Sequence, residues 1–472
     1  MKTLKEISLF SSFQPTNGDL LKLFKLAIDE EYSREEAANM FASKTHFNVI
    51  YKKLKDKLLD GLLLSSFKNL TKAQKIHFKL RKRSVESIML LHSEKKKTGI
   101  KLAEETLLTA IRYGYVDIVL SMGQSLENYY AIVDFNSKKW KKYHKKTKQY
   151  LIYFTQECIV QSVFSELAVC INSKKDPIYL LPKIEELKSL LSGNNQYKFR
   201  LFYYSVLILY ARYNNDQLTI IKVCQEATTF FSSCTTVLPY TTQWNFKFQM
   251  IPIYLTQKKY AKAEIIIYEC IQYPSKGSYN WHLTLLYQVL LGFYSNKPRI
   301  AVKTWKLATS TSKKFQSEAI DDRWHIIKAY LHFYAKVHRI DSLGPFRLYR
   351  FLNSVETNPK GKINLYILEL LHLLVDGKKV QFMKRAEYVE TYIRLNSRMP
   401  KRARYFLRML RAVELGDYHI VRVTAHAKKH SQKLEKTEVS LDINAADSEP
   451  VKYEILWEII LDFLTSLSNV RK

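Results

Sequence analysis

The sequence predicts an all-α fold, and its turn residues, its hydrophobic content and its hydrophobic periodicity all favour that class. Glycine and proline are scarce, with 12 Gly and 11 Pro in 472 residues; average usage would give about 33 and about 24. Parallel α/β folds and β-sandwiches need far more turn residues than this, whereas long helices with short polar connections do not. Hydrophobic residues make up 47% of the chain and aromatic residues 13%, which is enough for a core.

Length and charge set the scale of the protein and the kind of partner it favours. A chain of 472 residues exceeds what one hydrophobic core serves, so we expect roughly two to four domains or one extended repeat array. The net charge is +31, from 75 Lys and Arg against 44 Asp and Glu. Such an excess favours contact with a polyanion, namely nucleic acid, anionic lipid or an acidic protein. The alternative is that the lysines only keep a helical array in solution.

The cysteines and the apolar runs predict a cytoplasmic protein with reduced thiols. Five cysteines occur, none in a CxxC pair, and their odd number argues against a complete disulfide framework. The first six residues lack the apolar run of a secretion signal. No stretch approaches the ~18 apolar residues that a membrane-spanning helix needs, so no membrane span is expected. The cysteines are Cys158, Cys170, Cys224, Cys234 and Cys270.

Residues 1–66 predict a compact module of three helices. Asp19 can cap the first, and Ser33 followed by Glu36 has the spacing of a capping box for a short second helix. The third helix runs from His46 to about Leu64 and has apolar residues at core spacing. Those core positions are Phe47, Ile50, Leu54, Leu58 and Leu62.

A helix, a short helix and a longer helix are the outline of a helix-turn-helix module. The third helix would present Lys52, Lys53 and Lys55 to solvent together with Asn48 and Tyr51, and these residue types suit phosphate and base contacts. The alternative is that the module is the N-terminal cap of a helical array, shielding its first apolar face.

Residues 67–340 repeat one theme: an amphipathic helix, a brief polar break and a second helix with small inward-facing residues. The clearest unit starts at Tyr254 and Tyr260, continues with small or apolar residues at helical spacing, and ends at Pro274. Small residues allow two helices to approach closely. The inward-facing residues of this unit are Ala263, Ile267 and Cys270, and their counterparts 38 residues later are Ala301, Trp305 and Ala308. Further polar breaks fall at Gly114-Tyr115, Asn214-Asn215-Asp216, Ser295-Asn296-Lys297-Pro298, Asp376-Gly377 and Gly416-Asp417-Tyr418.

With these spacings, residues 100 to 430 resemble tetratricopeptide-repeat proteins, which implies a superhelical stack of antiparallel helix pairs, that is, an α-solenoid. The chain also resembles large helical-repeat proteins common in bacteria of the Bacteroidetes type, a resemblance that implies no known activity. It is carried by Leu20-Leu21-Lys22-Leu23-Phe24, by Phe346-Arg347-Leu348-Tyr349-Arg350-Phe351-Leu352-Asn353 and by Leu456-Trp457-Glu458.

The C-terminal third is interrupted twice. Gly-Pro, Asn-Pro and Lys-Gly-Lys elements predict an irregular inter-repeat segment at 341–362, followed by further helical repeats at 363–434. Residues 435–450 turn acidic and non-periodic, which predicts an exposed linker. Beyond it, 451–472 predicts one last amphipathic helix, with Ile455, Ile459 and Phe463 inward, docked on the final repeat.

The densest basic feature is a run of seven lysines between Ser137 and Gln149. Lysine neutralises phosphate, and an exposed aromatic ring can stack on an unpaired base, so this run is a candidate polyanion-binding site. The alternative is that its aromatic residues belong to the packed face at the start of a long helix, and that the lysines lie on the solvent-exposed face of that helix. The candidate residues are Lys138, Lys139, Trp140, Lys141, Lys142, Tyr143, Lys145, Lys146 and Lys148. A second basic stripe is predicted at Arg402, Arg404, Arg408 and Arg411.

Catalytic and cofactor motifs are not apparent in the sequence. The glycine spacings of phosphate-binding loops do not occur, and no Ser or Cys lies in a nucleophile elbow. His426 and His430 have metal-ligand spacing but lack the adjacent Glu of zinc proteases, and lysines flank them. His325, His332 and His338 are better explained by core packing on an aromatic-rich helix. We therefore expect no metal, no cofactor and no enzymatic activity.

The function expected from the sequence is that of a non-enzymatic helical-repeat scaffold whose concave face binds an unidentified protein or peptide. The alternative is a nucleic-acid-binding regulator that uses either the N-terminal module or the lysine run 138–148.

Overall fold

The computed structural model confirms the all-α prediction. It describes residues 18–28, 32–64, 71–234, 240–311, 318–340, 359–395, 400–437 and 451–470, together with residues 4, 8, 11, 13–16, 343 and 449. Across these residues there are 20 α-helices and two short 3₁₀ segments, Pro177–Leu180 and Leu191–Gly193, and no β-strand. They form two compact units, each described by itself below, and the division falls inside one long helix, after Ile159.

The first unit contains the chain up to Ile159 and the segment Gly193–Phe199. Its helices are α1 (Gly18–Ile28), α2 (Arg34–Asn39), α3 (Lys44–Leu64), α4 (Lys72–Leu91), α5 (Lys96–Arg112), α6 (Val116–Ile132) and the first part of α7 (Ser137–Asn172). The second unit contains the rest of the described chain. Its helices after α7 are α8 (Leu181–Leu190), α9 (Tyr197–Tyr213, whose first three residues belong to the first unit), α10 (Gln217–Ser233), α11 (Tyr240–Thr256), α12 (Tyr260–Gln272), α13 (Tyr279–Tyr294), α14 (Pro298–Thr311), α15 (Glu318–Val337), α16 (Pro359–Val375), α17 (Lys379–Leu395), α18 (Lys401–Leu415), α19 (Ile420–Glu435) and α20 (Tyr453–Val470).

The N-terminal module has the predicted three helices. The capping box is present: the Glu36 N–H donates to Ser33 Oγ (3.2 Å), and the Ser33 N–H donates to Glu36 Oε2 (2.8 Å). Phe47, Leu54 and Leu58 of α3 are buried against α1 and α2, as the apolar spacing predicted. Ile50 is half-buried, and the side chain of Leu62 lies outside the described residues.

Helices that follow one another in the chain pack against one another, from α4 through α6 in the first unit and from α10 through α20 in the second. Alternate helices also touch, because α11 packs on α13 and α13 packs on α15. Every polar break named from the sequence is a turn between two helices. All five contain a residue with positive φ, which closes the end of the preceding helix: Gly114, Asn215, Asn296, Gly377 and Asp417.

Small residues lie where two helices approach most closely, as predicted for Ala263, Cys270, Ala301 and Ala308, all of which are fully buried. One such close approach involves Gly292 of α13. A Cβ atom at Gly292 would lie 2.8 Å from the Cβ of Ala301 on α14, inside the ordinary contact distance between carbon atoms.

Replacing Gly292 by alanine is therefore expected to lower the free energy of unfolding by about 1–3 kcal/mol, because the extra methyl group overpacks the contact between α13 and α14. Urea denaturation measures the change. The matched control is Gly193→Ala, since a Cβ atom at Gly193 meets nothing within 4 Å. Equal stability of the two variants would contradict the close helix approach.

Two expectations for the C-terminal third need correction. The predicted irregular segment 341–362 lies mostly outside the described residues, but α16 already begins at Pro359, so its last four residues are helical. Residues 438–448 and 450 of the predicted linker also lie outside the described residues. Glu449, expected to be exposed there, is buried, with its side chain 6% exposed. Its ion pair with Arg402 offsets the cost of burying its charge.

Candidate binding surfaces

The last described helix, α20, is largely buried within the second unit. It packs against α15, α18 and α19. Up to Ser466, its exposed residues form one narrow stripe at a spacing of three to four residues, as expected for a helix enclosed on its other sides. The exposed residues are Glu458, Asp462, Thr465 and Ser466, and the buried ones are Tyr453, Ile455, Leu456, Trp457, Ile459, Ile460 and Leu464. Ile455 and Ile459 were predicted inward; Phe463, also predicted inward, is half-buried.

Arg402 of α18 fixes the start of α20. Its side chain is 8% exposed and forms ion pairs with Glu449 and with Glu454, whose Oε2 lies 2.7 Å from the Arg402 Nη2. Its Nη1 donates to the backbone carbonyls of Leu434 (2.7 Å) and Thr437 (2.8 Å) at the end of α19. Burial acts to lower the pKa of Arg402, but the two carboxylates together outweigh it and hold that pKa above its ordinary value. Arg402 therefore does not belong to an exposed basic stripe, which corrects that prediction.

Contacts of α20 reach beyond the final helix pair. The Lys452 ammonium lies over the ring of Tyr294 at the end of α13, 5.7 Å from its centroid. Glu458 forms an ion pair of 4.0 Å with Lys258, in the turn between α11 and α12. The Tyr453 ring stacks on Phe406 of α18, with centroids 4.6 Å apart. The docking site of α20 thus includes helices from several pairs of the second unit.

The lysine run occupies the first three turns of α7. Within the described residues, none of its seven lysines forms an ion pair with a carboxylate. Lys139 instead donates to the Tyr130 hydroxyl (3.1 Å). The exposed lysines are Lys138, Lys139, Lys141, Lys142, Lys145 and Lys148, and Lys146 is half-buried. We call these seven residues the lysine surface.

The aromatic residues of this run face the interior of the first unit. Tyr143 is buried, stacks on Tyr130 with centroids 5.6 Å apart, and donates from its hydroxyl to Glu104 (2.7 Å). Trp140 is half-buried and stacks on His144, with centroids 5.0 Å apart. Burial raises the pKa of Tyr143 above its ordinary value. The ring of Tyr143 is therefore not free to stack on a base, although the lysines beside it are free to meet phosphate.

On α3, Lys52 and Lys53 are exposed and Lys55 is half-buried. The residues expected to read bases are already engaged: the Arg34 guanidinium lies over the Tyr51 ring, 4.7 Å from its centroid, and donates to Asn48 Oδ1 (3.4 Å). Within the described residues, no hydrogen bond or ion pair joins the lysines of α3 to the lysine surface.

A buried polar cluster in the first unit was missed by the sequence reasoning. Glu157 of α7 is 4% exposed, and burial raises the pKa of its carboxyl group to about 7. Lys198 acts on it in the opposite direction and lies 3.9 Å from Asp117 of α6. Buried Asn194 donates to Gln156 Oε1 (2.8 Å). Arg81, whose side chain is exposed, forms an ion pair with Asp117 at the edge of the cluster. In the sequence, the only sign of this cluster is a single glutamate, Glu157, within an otherwise largely apolar stretch of a helix.

The other features considered in the sequence are the histidines, the cysteines and the apolar segments. Among the described residues, no group of three or more His, Cys, Asp or Glu side chains is placed to hold a metal ion. His332 is buried, and desolvation lowers the pKa of its imidazole to about 4, which fits the packing role expected for it. All five cysteines are free thiols. No described helix is both long enough and apolar enough to cross a membrane.

Fold and surfaces together define an all-α protein of consecutively packed helices. No family model, no curated protein and no solved structure matches the chain. The tetratricopeptide-like and Bacteroidetes-type resemblances therefore stay predictions, as do the domain boundaries drawn from the sequence.

Proposed function

We propose that the protein is a non-enzymatic helical scaffold that binds an amphipathic helix of a partner protein, and that the binding site is the groove occupied by α20. The observation that supports it is the burial of α20 on most of its surface by helices of several pairs. A groove that holds one amphipathic helix provides the contacts that a helix from another protein would need.

The contacts of α20 describe the chemistry of such a partner. Apolar residues such as Ile455 and Ile459 recur at helical spacing and would fill the groove. Carboxylates near the start of the helix, like Glu449 and Glu454, would pair with Arg402. The partner helix is therefore apolar on most faces, with acidic residues in or just before its first turn.

The test uses a variant in which α20 is destabilised in its groove while the residues that line the groove are unchanged. Replacing Ile455 and Ile459 by aspartate should weaken docking of α20 in cis, since both side chains are buried. A labelled peptide with the sequence of residues 449–470 should then bind the full-length variant at least about tenfold more tightly than the wild-type chain, whose groove is occupied. Fluorescence anisotropy measures both affinities, and circular dichroism checks that the variant stays helical.

Two control peptides test whether binding depends on the apolar residues and on the carboxylates of the peptide. One carries the same two aspartates, and the other carries Lys in place of Glu449 and Glu454; neither should bind the variant. Equal binding of the original peptide to variant and wild type would contradict the groove, as would no binding to either. If the peptide binds as expected, the variant becomes the bait with which to capture the partner, and an excess of the peptide should prevent capture.

Nucleic-acid binding is the second candidate, because exposed lysines on α3 and α7 suit phosphate contacts. It has less support than the sequence suggested. Tyr143 is buried, and Asn48 and Tyr51 are held by Arg34. The remaining contacts would be with the phosphate backbone alone, and such contacts position a nucleic acid without reading its sequence.

A further inference from the structure

The turn between α6 and α7 exposes apolar side chains next to the lysine surface. Phe135 is 79% exposed, Ile132 is 69% exposed and Val133 is 48% exposed. Three apolar residues of a four-residue stretch therefore point to water at the base of the most basic helix segment of the chain. An exposed apolar group rimmed by charge is typical of an interaction site.

Phe135 also has an unusual backbone conformation. Its φ is +49°, a region that bulky side chains rarely adopt and that Gly or Asn adopts with little strain. The other described non-glycine residues with positive φ are Lys174, Asn215, Lys258, Asn296, Arg339, Asp417 and Tyr418. Apart from the half-buried Tyr418, these are all polar or charged. Local structure and burial therefore give no reason for a phenylalanine at this position.

The charge around the turn is predominantly positive. Lys138, Lys139, Lys141 and Lys142 lie within about 9 Å of the start of α7 along the helix axis. Lys145 and Lys148 follow at three-residue spacing, on the face shared by Lys138, Lys141 and Lys142. Between Tyr129 and Gln149 the only acidic residue is Asp134.

We propose that this turn and the lysine surface together dock the protein on an anionic lipid membrane. Phe135, Ile132 and Val133 would enter the boundary between headgroups and acyl chains, and the lysines would contact the lipid phosphates. An apolar tip beside a basic face matches a bilayer surface, which offers hydrocarbon directly beneath its anionic layer. It matches nucleic acid less well. Aliphatic side chains make no favourable contact with a phosphate backbone, and the ring of Tyr143 is buried and so cannot stack on a base. The site is separate from the proposed helix-binding groove.

The test is co-sedimentation of the full-length protein with phosphatidylcholine vesicles that contain or lack phosphatidylserine. We expect binding only to the vesicles with phosphatidylserine. Phe135→Gly should weaken it at least about tenfold, from the loss of one inserted aromatic side chain. The triple variant Lys138→Glu, Lys141→Glu, Lys142→Glu should weaken it at least about a hundredfold, at about fivefold for each lysine.

Matched controls separate the site from general effects. Leu218→Ser changes an apolar side chain that is 75% exposed elsewhere and should leave vesicle binding unchanged. The triple variant Lys95→Glu, Lys96→Glu, Lys97→Glu makes the same change in net charge at exposed lysines at the start of α5 and should bind nearly as the wild type. Phe135→Gly should unfold at a temperature no lower than the wild type, since glycine accepts the positive φ.

Three results would overturn the proposal: equal binding to both kinds of vesicle, no binding to either, or full vesicle binding by Phe135→Gly. A single-stranded oligonucleotide is the competing probe. If it binds the wild type and Phe135→Gly alike, is lost with the lysine triple variant, and the vesicles do not bind, the lysine surface is a nucleic-acid site and the lipid proposal is wrong.

Discussion

Replacing Arg402 by alanine is expected to lower the free energy of unfolding of the second unit by about 3–5 kcal/mol, the range for breaking a buried ion pair from one side. The substitution would leave the buried carboxylate of Glu449 without its cation. It would also remove the donor that satisfies the carbonyls of Leu434 and Thr437. Urea denaturation gives the loss of stability, and limited proteolysis within residues 451–470 reports whether α20 has left its groove.

Arg408 of the same helix provides the control for this prediction. Its side chain is 36% exposed and lies 3.9 Å from Glu390, so Arg408→Ala should cost less than about 1 kcal/mol. A further variant combines Arg402→Met with Glu449→Gln and Glu454→Gln. It should recover part of the loss, because it removes the unpaired buried charge together with the arginine. A small effect of Arg402→Ala, comparable to that of Arg408→Ala, would show that Arg402 does not anchor α20.

Replacing Glu157 by glutamine is expected to stabilise the first unit at pH 8 by up to about 3 kcal/mol and to have little effect at pH 4.5. Burial raises the pKa of Glu157 from 4.5 to about 7. Between these values the folded protein binds a proton that the unfolded chain releases. The contribution of this group to stability is therefore present below pH 4.5 and is lost as the pH rises through 7. Glutamine stays neutral throughout, so the variant should lack this loss.

The measurement is the free energy of unfolding of wild type and variant at pH values from 4.5 to 8, taken as a difference so that other titrating groups cancel. Lys198 and Asp117, the charged groups that act on Glu157, are unchanged in the variant. The control is Glu105→Gln on α5, an exposed position that should give no pH-dependent difference. A variant less stable than the wild type at pH 8 would mean that Glu157 is ionised and paired in the folded protein.

Features set by local pattern could be predicted from the sequence. Scarce glycine and proline indicated helices, and the apolar spacing identified the core positions Phe47 and Leu54 of α3 and Ala263 and Cys270 of α12, all buried. The polar breaks located the turns, because a helix ends where a residue can adopt positive φ, as Asn215 does. Each of these signals depends on residues within about one or two helical turns of one another, so the sequence order contains it.

The candidate surfaces depended on the tertiary structure. Tyr143 and Phe135 are both aromatic residues at the base of one basic helix, but Tyr143 is buried against Tyr130 and Phe135 is 79% exposed. Arg402 had the spacing of an exposed basic stripe, and it is the buried centre of an ion-pair cluster instead. The partners that decide these outcomes, such as Glu449 for Arg402, lie tens of residues away along the chain.

The sequence by itself thus determined the all-α class, most helices and their turns, and much of the core. Only the tertiary structure decided that α20 lies in a groove, that Glu157 is buried and that Phe135 is exposed beside the lysines. The physical reason is that helix formation is governed by backbone hydrogen bonds and side-chain spacing within a few residues. Burial and pKa are governed by whichever distant side chains and backbone come to surround a group once the helices pack.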